Sequence, residues 1–404
     1  MAVQILRSRQ ESAKVAPVEL FFDLVYVFAI TQLSHLLLAH LDAAGAAQTL
    51  LLTLAVWWAW MYTAWTTNYC DPDHPVLRLT LTGLMLAGLV MAAALPQAFG
   101  ARALWFAGAY VAIQVGRTIV VSIAARAHPI GHTFKLILVW HVLSSVLWIT
   151  GALLGGTAQV ALWVVALLVE YLAPWHGYRT PFLGRATIVD WSIDGAHMAE
   201  RCELFVIIAL GESVLVTGLT LAENDHLTAA TVAAFVVAFL GSVAMWWVYF
   251  DRTAEAAAEA IAESDDSGRL GRSAYTFMHI PMVAGIIVTA VGDELAIAHP
   301  SGGTSLGTAL TVLGGPALFL TGHALFKRAV FGYMPVNRIV AIGVLGAAGA
   351  LVALMPSLMP PLALAVLATL VVWGVAAWDS VLARRLSETP AGDERPAVTM
   401  DVVG

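Results

Sequence analysis

The sequence predicts an all-α polytopic membrane protein of about twelve transmembrane helices, arranged as two tandem parallel six-helix repeats. Three observations carry that prediction: composition, the length of the apolar blocks, and the distribution of basic residues. Of 404 residues, 60% are hydrophobic and only 12% are charged, with a mean hydropathy of +0.81; soluble domains carry about a quarter charged residues. The apolar residues fall in blocks of about 20, the length a helix needs to cross roughly 30 Å of hydrocarbon at about 1.5 Å per residue. The blocks lack the two-residue alternation of a membrane barrel strand, so helices must satisfy the backbone in lipid.

Taken in order, the spans are read at about 18–40, 46–68, 76–96, 103–124, 133–154, 157–172, 201–221, 228–250, 273–292, 303–325, 336–355 and 361–382. This divides the chain into a cytoplasmic N-terminal segment (1–17), a first six-helix repeat (18–172), a connector with an amphipathic stretch (173–199), a second repeat (200–386) and a disordered cytoplasmic tail (387–404). The first block carries Glu19 and Asp23 and has no small-residue cleavage site, so it reads as an uncleaved span. Arg78, Arg126, Lys135, Arg179, Arg185, Arg252, Arg269, Arg272, Lys327, Arg328, Arg338, Arg384 and Arg385 all fall on one side, against Arg102 on the other. The positive-inside rule therefore expects a multi-pass protein of the cell (inner) membrane with both termini cytoplasmic.

Repetition is read from four matches in the same order. Glu19-Leu20-Phe21 aligns with Glu203-Leu204-Phe205, Trp57-Trp58 with Trp246-Trp247, Ala87-Gly88 with Ala284-Gly285, and Gly116-Arg117 with Gly322-His323. Six spans per repeat keep both halves in one orientation.

Net charge is −7 with no basic tract, which argues against a nucleic-acid partner. Cys70 and Cys202 are read as structural thiols on the cytoplasmic side. No P-loop, nucleophile elbow, His-Glu-x-x-His or cysteine ligand set is present, so neither enzymatic activity nor a cofactor is expected.

Ionisable groups inside spans are functional candidates by default, because each costs at least a few kcal/mol near the bilayer centre. Here they are Asp23, Arg117, His141, Glu170, Glu212, His279 and His323, with Glu19 one helical turn before Asp23. Matched depth and the repeat suggest an Asp23–Arg117 pair in the first half and a Glu212–His323 pair in the second. Such pairs serve either to pin helices or to line a pathway, and the histidines suit a proton relay. Glu19, Asp23, Ile30 and Ser34 form a stripe that should face the bundle interior. Asp190, Asp194, His197 and Arg201 share one helical face; the first three are weak candidates for a metal, and a solvated interfacial helix is the plainer reading. Trp57, Trp58, Trp60, Trp65, Trp246, Trp247 and Tyr249 read as an interfacial belt, with an aromatic cation lining as the sharper alternative.

The segment Val18-Glu19-Leu20-Phe21-Phe22-Asp23-Leu24-Val25-Tyr26-Val27-Phe28-Ala29-Ile30-Thr31-Gln32-Leu33-Ser34-His35 resembles the signature of the bacterial low-temperature-requirement A family. The segment from His197 to Ser213, with His197-Met198-Ala199-Glu200-Arg201 and Gly211-Glu212-Ser213, is similar to that family's other recurring motif, departing from it at Glu203. The resemblance implies a multispanning membrane protein linked to growth at low temperature. A more distant similarity, in architecture, is to lysosomal potassium and proton channels built from two six-helix repeats. The expected function is a transporter, proton coupling being one form of it, with a cation or proton channel as the alternative and an intramembrane enzyme or sensor as a further one. The expected partners are the lipid bilayer and a small solute or ion, with homo-oligomerisation left open.

Overall fold

A computed structural model describes residues 5–7, 14–186, 194–223, 227–251, 253–262 and 270–388. The helices are α1 (Pro17–Ala39), α2 (Ala43–Tyr69), α3 (Pro75–Ala94), α4 (Ala103–Ala124), α5 (Pro129–Leu154), α6 (Gly156–Leu172), α7 (Gly195–Ala222), α8 (Ala229–Phe250), the short α9 (Ala254–Ala262), α10 (His279–Ala298), α11 (Leu306–Phe331), α12 (Val336–Leu354) and α13 (Pro361–Glu388). Among the described residues, 11 helices are long and apolar enough to cross a membrane, and α6 adds a shorter apolar helix of 17 residues.

Local chemistry sets where many of these helices begin. Proline opens α1, α3 and α5, where its missing N–H would have had no partner. Asp42, Asp194, Thr228 and Ser305 accept backbone N–H groups at the starts of α2, α7, α8 and α11. Leucine and valine cover the outward faces, as with Val139, Val142, Leu143 and Val146 along α5, which a lipid environment favours.

Several boundaries differ from those expected. Helix α7 takes in residues assigned to the connector, because Asp194 caps it at Gly195. The ninth span runs on to Ala298, beyond the expected end at 292, so Asp293 and Glu294 belong to a helix. It is entered through a π-turn at Arg272–Phe277. Helix α13 reaches Glu388, and the remainder of the expected tail lies outside the described residues, as does Asp190.

Helix α2 is the hub. Trp57, Trp58, Trp60 and Trp65 are buried, which corrects the interfacial reading for them, while Trp246 and Trp247 stay partly exposed. Trp57 Nε1 donates to Thr276 O at 2.8 Å and Trp65 Nε1 to Thr276 Oγ1 at 3.2 Å, so α2 of the first half is bonded to the entry of α10 in the second. Tyr249 is buried as well.

The starts of α1 and α7 lie level, since Glu19 meets His197 and Asp23 meets Arg201. Helices α1 and α7 thus run parallel over these two turns.

Both cysteines are buried and free. Burial pushes the Cys70 thiol, at the end of α2, up to about 12. Maleimide at neutral pH is therefore expected to label neither cysteine in the native protein and both after denaturation. Native labelling at the denatured rate would contradict the packing described.

Candidate functional site

The first rung of the site is built on Glu19. Its position in the first turn of α1 lets Oε2 accept Ala16 N–H at 2.9 Å, so the side chain is held by its own helix start. Fully buried, Glu19 also meets His197 Nε2 at 3.1 Å, Arg7 Nη2 at 3.2 Å and Arg201 Nη1 at 3.6 Å. Residues 5–7 carry Arg7 there as a strap along the end of α2, with Arg7 N–H on Tyr69 O at 3.0 Å and Asp71 N–H on Ile5 O at 2.8 Å.

Asn68 holds the other side of the histidine ring. Its Oδ1 accepts Asp194 N–H at 3.1 Å, which orients the amide so that Nδ2 donates to His197 Nδ1 at 3.2 Å. His197 Nε2 then lies 3.1 Å from both Glu19 Oε1 and Arg7 Nη2.

One helical turn further in stands the second rung. Asp23 Oδ1 accepts Arg201 Nη2 at 2.8 Å and Trp60 Nε1 at 2.8 Å, and the Arg201 guanidinium lies 5.6 Å from the Trp60 ring centroid. Asp23 and Arg201 are both wholly buried. Yet among the described residues Asp23 Oδ2, Arg201 Nε and Nη1, and the neighbouring Tyr26 hydroxyl have no hydrogen-bond partner.

This geometry replaces the expected Asp23–Arg117 pair. Arg117 turns to α2 and α4, donating to Thr63 Oγ1 at 3.0 Å, Ala59 O at 3.2 Å and Gln114 Oε1 at 2.5 Å. Asp23 is taken instead by Arg201, which stands level with it on the adjacent parallel helix. The expected Glu212–His323 pair is not formed either: both ring nitrogens of buried His323 lack partners, and its neighbours are the rings of Phe319 and Tyr249. Glu212 is buried on α7, about three helical turns of chain beyond Arg201 and about four beyond His197.

The other expected residues divide between a second network and isolated positions. Glu170 on α6 accepts Trp148 Nε1 at 3.0 Å and the Tyr110 hydroxyl, and Gln114 joins Tyr110 to Arg117. His141 Nδ1 lies 3.1 Å from Thr118 Oγ1 with Nε2 unpartnered. His279 is a satisfied interior histidine, with Nε2 at 2.8 Å from the Tyr249 hydroxyl and Nδ1 at 3.1 Å from Ala274 O. Of the weak metal candidates, Asp194 caps α7 and His197 is hydrogen-bonded at both ring nitrogens. Among the described residues no group of three His, Cys, Asp or Glu could hold a metal ion.

Sequence reading missed His197, Arg201, Asn68, Trp60 and Arg7 as members of one site. A usable signal existed: acids four apart on α1, Glu19 and Asp23, face bases four apart on α7, His197 and Arg201. Partners were sought within each half, whereas the charges pair between halves.

The fold and this buried cluster define a multi-pass α-helical membrane protein whose two halves are bonded through paired charges. A family profile described as "Bacterial low temperature requirement A protein (LtrA)" matches residues 14–373. The chain belongs to the LtrA family. It is 38% identical over 387 residues to "Uncharacterized protein RA0937" of Rhizobium meliloti (strain 1021), covering 95% of this chain and 93% of that one. The matched region includes both segments that meet in the cluster, one on α1 and one on α7.

Proposed function

We propose that the protein is a transporter of a small solute or ion, coupled to protons, whose cytoplasmic gate is the Glu19–His197, Asp23–Arg201 cluster. The carrying observation is that the buried cluster is incompletely satisfied. A purely structural pair would be expected to bond each polar atom, because an unpartnered buried group costs about 1–3 kcal/mol. Here the unpartnered atoms of Asp23, Arg201, Tyr26 and Arg117 belong to the cluster and to the network beyond it. Atoms left open in this way suit a site that exchanges partners as a solute or proton passes.

The cluster also joins the first helices of the two halves, and rocking of one half on the other is a common way to alternate access. Similar packing in the two halves supports the same reading: α1 packs on α2 and α3, and α7 packs on α8 and α10. An enzymatic reading has less support, since Ser213 Oγ meets Ser242 Oγ at 3.4 Å and not a base. The basic side, where α1 begins, is the cytoplasmic side of the inner membrane in this reading.

Proton flux into proteoliposomes under an imposed pH gradient tests the proposal. Wild type should carry protons, Asp23→Asn should lose about tenfold or more of the rate, and Glu212→Gln, outside the cluster, should retain most of it. Absence of flux in wild type across solute panels and gradients would overturn the reading; unitary currents would replace the transporter with a channel.

A further inference from the structure

Helix α10 carries a carboxylate that the gate does not use. Asp293 is 8% exposed, and among the described residues its Oδ2 has no hydrogen-bond partner. Among the described residues, no Lys, Arg or His forms an ion pair with it. It lines a cavity of about 20 Å³ between α8, α10, α11 and α13, together with Thr289, Val312, Pro316 and Thr369. A space of roughly 10–15 Å³ on this measure holds one water-sized particle.

The polar groups that reach this cavity can act only as acceptors. Thr289 Oγ1 gives its proton to Gly285 O at 2.8 Å, and Thr369 Oγ1 gives its proton to Val237 O at 3.3 Å. Both hydroxyls therefore keep their lone pairs for another donor or a cation. Pro316, inside α11, has no N–H to offer the carbonyl of Val312 one turn earlier. Gly241 on α8 makes room for Thr369, whose Oγ1 would stand 3.1 Å from a Cβ there.

We propose that this cavity binds a single monovalent cation of sodium size. The Asp293 carboxylate supplies the charge, and the oxygens of Thr289, Thr369 and Val312 complete the shell. One carboxylate balances one positive charge, whereas a divalent ion would leave an uncompensated charge in a low-dielectric interior. An all-acceptor lining repels anions, and the volume excludes ions that keep their hydration shell.

The site lies at the other end of the bundle from the gate. Asp293 follows Ser273, the start of its span, by 20 residues, about 30 Å of helix, while Asp23 stands near the start of α1. The proposal does not depend on the transport reading, because binding can be measured in detergent without flux.

The test is equilibrium binding of radioactive sodium to the purified full-length protein in detergent, at alkaline pH to limit competition by protons, with choline replacing sodium at constant ionic strength. Wild type should bind sodium saturably at one ion per chain. Asp293→Asn should abolish binding, and Thr369→Val, which keeps the charge and side-chain shape, should weaken it by about tenfold. The Thr369 variant also guards against a folding defect in the Asp293 variant. Lack of saturable binding in wild type would mean that the cavity holds only water or a proton, and unchanged binding in both variants would place sodium elsewhere; either result overturns the proposal.

Discussion

Arg201→Met is expected to destabilise the protein by about 3–5 kcal/mol, because it leaves the carboxylates of Glu19 and Asp23 buried with a reduced counter-charge. In the native structure Arg201 bonds Asp23 at 2.8 Å and approaches Glu19 at 3.6 Å, with all three side chains fully buried. The loss should appear as a lower denaturant midpoint or melting temperature in detergent. A second change separates lost pairing from lost volume: Asp23→Asn removes one of the stranded charges, so the double variant should recover part of the stability of Arg201→Met. The coupling in such a cycle should exceed about 1 kcal/mol. If Arg201→Met loses less than about 1 kcal/mol, or the two changes simply add, the cluster does not hold the halves together.

The second large effect is expected at Gly285. A Cβ there would stand 2.4 Å from Phe319 N and 2.8 Å from Gly315 O, both backbone atoms of α11. Neither can rotate away, so α10 and α11 would have to separate along an interface also built on Gly292, Gly315 and Gly322. Gly285→Ala should therefore lower stability by about 1–3 kcal/mol, as overpacking does. Gly314→Ala is the matched control, because a Cβ there meets nothing within 4 Å. It should be neutral or stabilising by up to about 1 kcal/mol, the helix-propensity difference between glycine and alanine. Equal melting temperatures for the two variants would mean that the close approach of α10 and α11 is not maintained.

Both effects bear on how the molecule could work. Close packing of α10 on α11 places Thr289 beside Gly315, so the helices that border the proposed cation cavity share a rigid seam. Helices α1 and α7, in contrast, are joined by charge pairs with unpartnered atoms. Under the proposed function, movement takes place at the second seam rather than at the first, which is closed by backbone contact.

Further charge pairing was hidden in plain loop counting. Arg338 was counted with the cytoplasmic loops, yet it sits buried in the first turn of α12, bonded to Asp379 of α13. Its partner could not come from charge distribution alone.

By itself, the sequence determined the class of protein, the approximate spans, the family and the inward direction of the α1 stripe. These follow from local quantities: apolar length against bilayer thickness, motif residues in contiguous runs, and the prohibitive exposure of Glu19 and Asp23 to lipid. Tertiary structure decided which charges pair. Asp23 could reach Arg117 or Arg201 as far as depth along a helix is concerned, and only the lateral placement of α7 beside α1 selects Arg201. It likewise brought Asp293 into a helix by extending α10 to Ala298, six residues beyond the end expected from hydropathy. The physical reason is the same in both cases: hydropathy and helical spacing fix positions along each helix axis, whereas the choice of neighbour around that axis comes from packing among helices distant in sequence.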